Sequence, residues 1–303
     1  MSLAKPVLLV ALGIVHVAFV AGWVVLVRRA RRPEGMPARV APSAFHLAVG
    51  FLTDFFDTLG IGSFATTTTA YGLARRVDAR LIPGTLNVGH ALPTLVQALV
   101  YITIVDVDMT TLVVMIAASV VGASLGAGVV AGLSRRAVRV GMGSALLVAS
   151  GIMTASTLGL LPKGGTDLGL PSLLLVVAAV ANFVLGALMT AGVGLYAPCM
   201  ILVSLLGMNP RAAFPIMMGS CAFLMPLGGI EFIRRGAYDL RAALGLTIAG
   251  IPGVLIAAFV VRSLSLDAVR WLVVAVASYT AVTMLIAARR NDEPAPAPAP
   301  DGS

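Results

Sequence analysis

Two aspartates three residues apart, Asp54 and Asp57, lie inside an otherwise apolar run at 43–74. That spacing puts both carboxylates on one face of a helix. An ionisable group at membrane depth is a functional candidate, because holding it there is costly. Asp57 precedes a glycine break at Gly60 and Gly62 and is the expected proton-coupling group, with Asp54 beside it. A permanently ionised carboxylate would repel an anionic substrate. It must therefore take up a proton in part of a cycle, bind a cation, or face away. The plainer alternative leaves both aspartates hydrated near a cytoplasmic mouth. The next apolar run carries Asn87, His90, Pro93 and Gln97, spaced to share one helical face. A polar stripe of this kind is expected to point into a bundle, and His90 can titrate near neutral pH. A lone buried histidine is otherwise a packing residue.

A glycine break at mid-depth starts a new half-helix. Its first N–H groups have no intrahelical acceptor, and its dipole end favours an anion. Exposed backbone of this kind survives in hydrocarbon only where protein or a water-filled cavity covers it. In the first break the candidates are Gly60, Gly62, Ser63 and Thr66, and in the second Gly192, Gly194, Tyr196, Pro198 and the adjacent Cys199. Pro198 suits a first helical turn, where its missing N–H would have been free anyway. The bland reading makes these glycines close-packing sites and Cys199 a small filler.

The elements that must carry these residues follow from composition and pattern. Of 303 residues, 59% are hydrophobic and only 11% charged, where a soluble domain has about 25% charged. Mean hydropathy is +1.00 over the whole chain, so apolar residues must face lipid. Apolar runs fall at 7–27, 43–74, 83–105, 109–133, 138–160, 172–207, 212–233, 240–261 and 271–288. Most suit one crossing of a ~30 Å core, but 43–74 and 172–207 are too long for one upright span. The net charge of +8 is spread over short loops between these runs and forms no nucleic-acid-binding face. Cys199 and Cys221 sit inside apolar runs and give no disulfide framework, and the histidines and cysteines are not spaced as metal ligands.

The two long runs overlay without a gap. Thr58-Leu59-Gly60-Ile61-Gly62 matches Thr190-Ala191-Gly192-Val193-Gly194, and Phe51 matches Phe183. Further along, Gly122 matches Gly253, and Ser134 with Ala137-Val138-Arg139 matches Ser265 with Ala268-Val269-Arg270. Charge then chooses the topology. If each long run enters, breaks and returns, 16 of the 21 Lys and Arg fall on one side and 5 on the other. If each crosses once, the split is nearly even. Strong asymmetry is the rule for cytoplasmic loops. The expected fold is thus an all-α polytopic membrane protein. One N-terminal transmembrane helix and a basic loop (1–42) precede two inverted repeats (43–162 and 172–288), each a broken, re-entrant hairpin plus three crossings. An extended, disordered Ala/Pro tail (289–303) follows. The N-terminus is expected outside and the C-terminus in the cytoplasm.

The Gly-x-Gly break, the small and hydroxyl residues after it and the duplication resemble the sulfite exporter TauE/SafE (TSUP) family over residues 43–288. The glycine-rich start followed by Pro is closer in the second repeat (Gly192, Gly194, Pro198) than in the first, where Thr66 stands in place of Pro. The resemblance implies a secondary transporter in the inner membrane, without ATP or cofactor, for sulfite, an organosulfonate or a related anion. The chain has no Walker A motif. Small anions and membrane lipid are the expected partners, and nucleic acid is not; the oligomeric state is open. The rival readings are a passive anion channel and an intramembrane hydrolase built on Ser63 and His90. An enzyme is not expected.

Overall fold

Ser134 and Ser265, matched in sequence, have the same structural task. Each hydroxyl accepts from the backbone N–H three residues on, Ala137 at 3.3 Å and Ala268 at 3.2 Å, and so caps a long helix. The Ser-x-x-Ala-Val-Arg recurrence is therefore a helix start used twice. The computed structural model describes residues 3–29, 41–131, 134–160, 165–189 and 195–289. Gly192 and Gly194, the loop at 30–40 and the tail from 290 onward lie outside them.

Apart from one isolated bridge, the regular elements among the described residues are all helices. In order the helices are α1 (Ala4–Arg29), α2 (Ala44–Thr58), α3 (Ser63–Ala74), α4 (Ile82–Gly89), α5 (Ala91–Ile104), α6 (Met109–Ala131), α7 (Arg135–Thr157), α8 (Ser172–Met189), α9 (Tyr196–Leu205), α10 (Ala213–Arg234), α11 (Leu240–Ser263) and α12 (Leu266–Arg289). Seven helical stretches among the described residues are long and apolar enough to cross a membrane. The chain is thus an all-α, multi-pass membrane protein.

Both long runs fold back on themselves. Phe45 and His46 at the start of α2 lie against Tyr71 near the end of α3, with ring centroids 6.2 Å and 5.9 Å apart. Arg76, just past α3, sits over the Phe45 ring. The α2–α3 pair is therefore a hairpin whose open end is basic. The α8–α9 pair closes the same way: Asp167, before α8, pairs with Met208, after α9, and accepts from the Asn209 N–H at 2.8 Å. This second hairpin opens beside the Asp106–Asp108 turn, because the Asp108 N–H donates to Leu168 O at 2.7 Å. The two hairpins enter from opposite ends of the bundle. Helix α8 is long enough to cross by length alone, yet its last residue, Met189, stops at Cys221 inside α10 (sulfur to sulfur, 3.7 Å).

The packing is reciprocal. Helix α6 runs along α8, and α11 runs along α2. A Cβ on Gly122 would meet the carbonyl of Phe183, and one on Gly253 would meet the carbonyl of Phe51. These four residues are the pairs matched in sequence, so each contact is the other with its partners exchanged. Close backbone approach at glycine is how membrane helices gain dispersion energy, since lipid supplies no hydrophobic drive between them.

At the centre stand α4–α5 and α10. Between α4 and α5 the ladder is interrupted at His90, and Pro93 explains one lost bond, since proline cannot donate to the carbonyl four residues back. That carbonyl, Gly89 O, accepts instead from Thr247 Oγ1 of α11 at 2.8 Å. A freed backbone acceptor at membrane depth is thereby satisfied.

Candidate functional site

The break between α2 and α3 needs two residues with positive φ, and Gly60 (+96°) and Gly62 (+89°) supply them. Gly62 caps α3 but has no side chain with which to accept from it. Asp57, six residues before Ser63, takes that part: its Oδ1 accepts from the Ser63 N–H at 2.5 Å. A carboxylate here lies along the helix dipole and makes a charge-assisted bond. The other oxygen, Oδ2, accepts from Gln97 Nε2 of α5 at 2.9 Å. Gln97 Nε2 also donates to Thr58 Oγ1 at 2.9 Å, and Gln97 Oε1 accepts from the Tyr196 hydroxyl at 3.1 Å. Tyr196 is the first residue of α9, beyond the second break. One buried glutamine thus ties the two hairpin tips together.

A cavity of about 60 Å³ lies between the α2–α3 turn and the facing ends of α8 and α9. Asp57 and the turn from Ile61 to Phe64 form one side, and Met189 with Leu195, Tyr196 and Ala197 the other. Cys221 and Met225 of α10 and Thr280 of α12 complete a largely apolar wall. A water needs roughly 10–15 Å³ of such space, so the cavity has room for about four waters or a comparably small ion. Ser63 Oγ, on this wall, is buried and has no hydrogen-bond partner among the described residues. Among the described residues, no side chain caps the first turn of α9, whose residues Tyr196 and Ala197 also face the cavity.

Behind this wall is a second buried polar group. His90 Nδ1 bonds Asp54 Oδ1 at 2.8 Å, and His90 Nε2 bonds Thr67 Oγ1 at 3.1 Å. All three residues are fully buried. A hydroxyl can accept or donate, so the chain Asp54–His90–Thr67 holds together whether the imidazole carries one proton or two. Asp54 Oδ2 has no partner among the described residues and faces Gly250 of α11, where a Cβ would come within 2.1 Å of it. The order carboxylate, imidazole, hydroxyl matches that of an acyl-transfer triad. Thr67, however, is not on the cavity wall. The Ser63–His90 pairing required for a hydrolase is not formed, because both His90 nitrogens are engaged elsewhere.

The expected residues therefore divide. Asp57, Gly62, Ser63 and Tyr196 line the cavity, and Gln97 holds Asp57 and Tyr196 from one step behind. Gly60 shapes the turn and faces Met200 of α9. His90 and Asp54 form the adjoining network. Thr66 turns its hydroxyl back onto Gly62 O and Ser63 O, and Asn87 donates to Pro83 O, so neither is brought to the cavity. Pro198 and Cys199 are buried in α9, off the wall. Gly192 and Gly194 fall outside the described residues. The sequence reading missed Thr67, Met225 and Thr280. Thr67 repeats every fourth residue from Ser63, a face it could have used; Met225 and Thr280 carry no local signal. Among the described residues, no group of three His, Cys, Asp or Glu is placed to hold a metal ion.

Residues 174–302, from α8 to beyond α12, match the family model described as sulfite exporter TauE/SafE. No curated protein and no solved structure matches the chain.

Proposed function

We propose that this TauE/SafE-like chain is a secondary transporter for a small anion, with sulfite or a related sulfur oxyanion as the substrate class, working by alternating access in a cell membrane. The observation that carries the reading is the cavity between two hairpin tips that enter from opposite ends, with a half-helix N-terminus from each tip at its wall. Broken helices in matching positions of two repeats are the mark of a central transport site. The match of the second repeat to the family model supports the same class. Its size suits an oxyanion of few atoms better than a long organosulfonate. The basic hairpin end faces the cytoplasm in this reading, with the C-terminus on the same side and the N-terminus outside.

Asp57 gives the coupling. Its carboxylate occupies the α3 N-terminus, the seat that an anion would take. A second negative charge about 4 Å away would cost on the order of 4 kcal/mol at an effective dielectric of 20. Anion entry is therefore favoured when a proton reaches Asp57, freeing the Ser63 N–H for the substrate. The neutral carboxyl keeps its bond from Gln97, so the tip need not unfold. Release of the proton returns the carboxylate to the seat and expels the anion. Substrate and proton then travel together.

The test is sulfite flux into proteoliposomes at several pH values. Saturable uptake that steepens as pH falls in wild type, and loses its pH dependence in Asp57→Asn, is expected. Uptake that rises linearly with concentration at every pH describes a channel and overturns the carrier. Unchanged pH dependence in Asp57→Asn removes Asp57 from the coupling.

A further inference from the structure

Among the described residues, Lys5, Arg211, Arg262 and Arg270 fall at the end of the bundle that carries the acidic turn, against the general bias of the chain. Two of them, Arg211 and Arg262, line one cavity of about 160 Å³. Arg211 follows α9 and is half-buried. One of its amino groups, Nη2, donates to the carbonyl of Leu264, and its backbone N–H donates to Asn209 Oδ1 at 3.0 Å. Its Nε is buried with no partner, and no carboxylate lies within ion-pair distance of it among the described residues. A buried guanidinium N–H without an acceptor is costly. Arg262 and Asn209 also face this space, and the carboxylate of Asp106 is the opposing charge on its rim.

The floor of the cavity is an aromatic pair. Tyr101 and Phe214 stack with centroids 5.0 Å apart and planes 19° apart, both fully buried. The Tyr101 hydroxyl donates to Thr58 O at the tip of the first hairpin, at 3.4 Å. Beyond this pair lies the Gln97–Asp57 group.

We infer that Arg211 and Arg262 form a second anion-binding site, an antechamber above the Tyr101–Phe214 pair that takes a small oxyanion. The Arg211 guanidinium, whose Nε lacks an acceptor among the described residues, supplies the charge and donors that a small oxyanion accepts. Its place on a route to the central cavity rests on the transport reading above; its binding of an anion does not. The volume, larger than that of the inner cavity, lets an ion arrive with part of its hydration. Asp106 weakens the site and keeps it from trapping its ligand.

Calorimetric titration of sulfite into the purified full-length chain tests this. Arg211→Gln should weaken binding about tenfold or more, the loss of one charge-assisted contact. Asp106→Asn should strengthen it about fivefold, the removal of one exposed charge at close range. A gain of affinity cannot come from misfolding, so this second variant keeps the test meaningful if Arg211→Gln is unstable. Gly62→Leu fills the turn at the central cavity and should leave the outer site intact. Binding lost in Gly62→Leu but unchanged in Arg211→Gln and Asp106→Asn overturns the antechamber and leaves the central site standing. Binding that survives Gly62→Leu and falls in Arg211→Gln supports the antechamber whatever becomes of the transport reading. Binding indifferent to all three variants overturns both.

Discussion

Gln97→Leu removes three hydrogen bonds at once from a place that water does not reach. The lost contacts are to Asp57 Oδ2 and Thr58 Oγ1, both at 2.9 Å, and from the Tyr196 hydroxyl at 3.1 Å. Interhelical hydrogen bonds within membranes average about 0.6 kcal/mol and reach about 1.7. With the bond to the Asp57 carboxylate at the upper figure and the other two at the mean, the loss is about 3 kcal/mol. Leucine's own packing against the apolar wall offsets a fraction of this. The sharper readout is coupling to Tyr196. In wild type, Tyr196→Phe breaks the bond to Gln97 and leaves its amide oxygen bare, at about 1 kcal/mol. In the Gln97→Leu background the hydroxyl is already stranded, so the same change should cost nothing or stabilise. Reversible unfolding in mixed detergent micelles gives the four stabilities of this cycle, and a coupling of about 1 kcal/mol is expected. If Tyr196→Phe costs the same in both backgrounds, the glutamine does not link the hairpin tips and the description of the site fails.

Gly250→Ala should destabilise by about 1–3 kcal/mol, because its Cβ would fall 2.1 Å from Asp54 Oδ2 and 2.7 Å from Pro93 Cγ. Gly72→Ala, which meets nothing within 4 Å, should be neutral or stabilise by up to about 1 kcal/mol through helix propensity, and the same unfolding assay reads both. Gly60→Leu forces a branched side chain to φ +96° with Met200 Sδ 2.7 Å from its Cβ. It should abolish sulfite flux in a protein that still elutes as a single folded species, and Gly192→Leu should do the same; normal flux in either removes the hairpin tips from the pathway.

The sequence carried the architecture because the architecture has a strong physical cause. Lipid solvation demands long apolar runs, and the two over-long runs could be resolved by where lysine and arginine collect. The hairpins follow that choice, as Phe45 against Tyr71 and Asp167 against Met208 make plain. The matching of Phe51 with Phe183 and of Gly122 with Gly253 was visible as offset alone, and the reciprocal contacts give it a cause in packing. Composition of the site was legible as well, since polar residues in hydrocarbon are few. Who pairs with whom was not. Asp57 lies six residues before Ser63, a distance spanned by the turn and by no regular helix spacing, so nothing local reveals that it fills the α3 N-terminus. Asn87 shares a helical face with His90 in an ideal helix. The interruption at His90 ends that register, and Asn87 turns to Pro83 instead. Arg211 carries no local signal, since burial of one guanidinium nitrogen has no sequence signature.

The reciprocal clasp has a mechanical consequence. Helix α2 is pressed along α11 and α8 along α6, each at glycines that admit backbone to backbone. A hairpin is thus fastened to a strut from the other half of the chain. The strut of each hairpin lies far from it along the chain. A load applied to either hairpin is borne by the half of the chain that did not encode it, and a chain cut between the repeats yields two pieces that each lack the strut for their own tip.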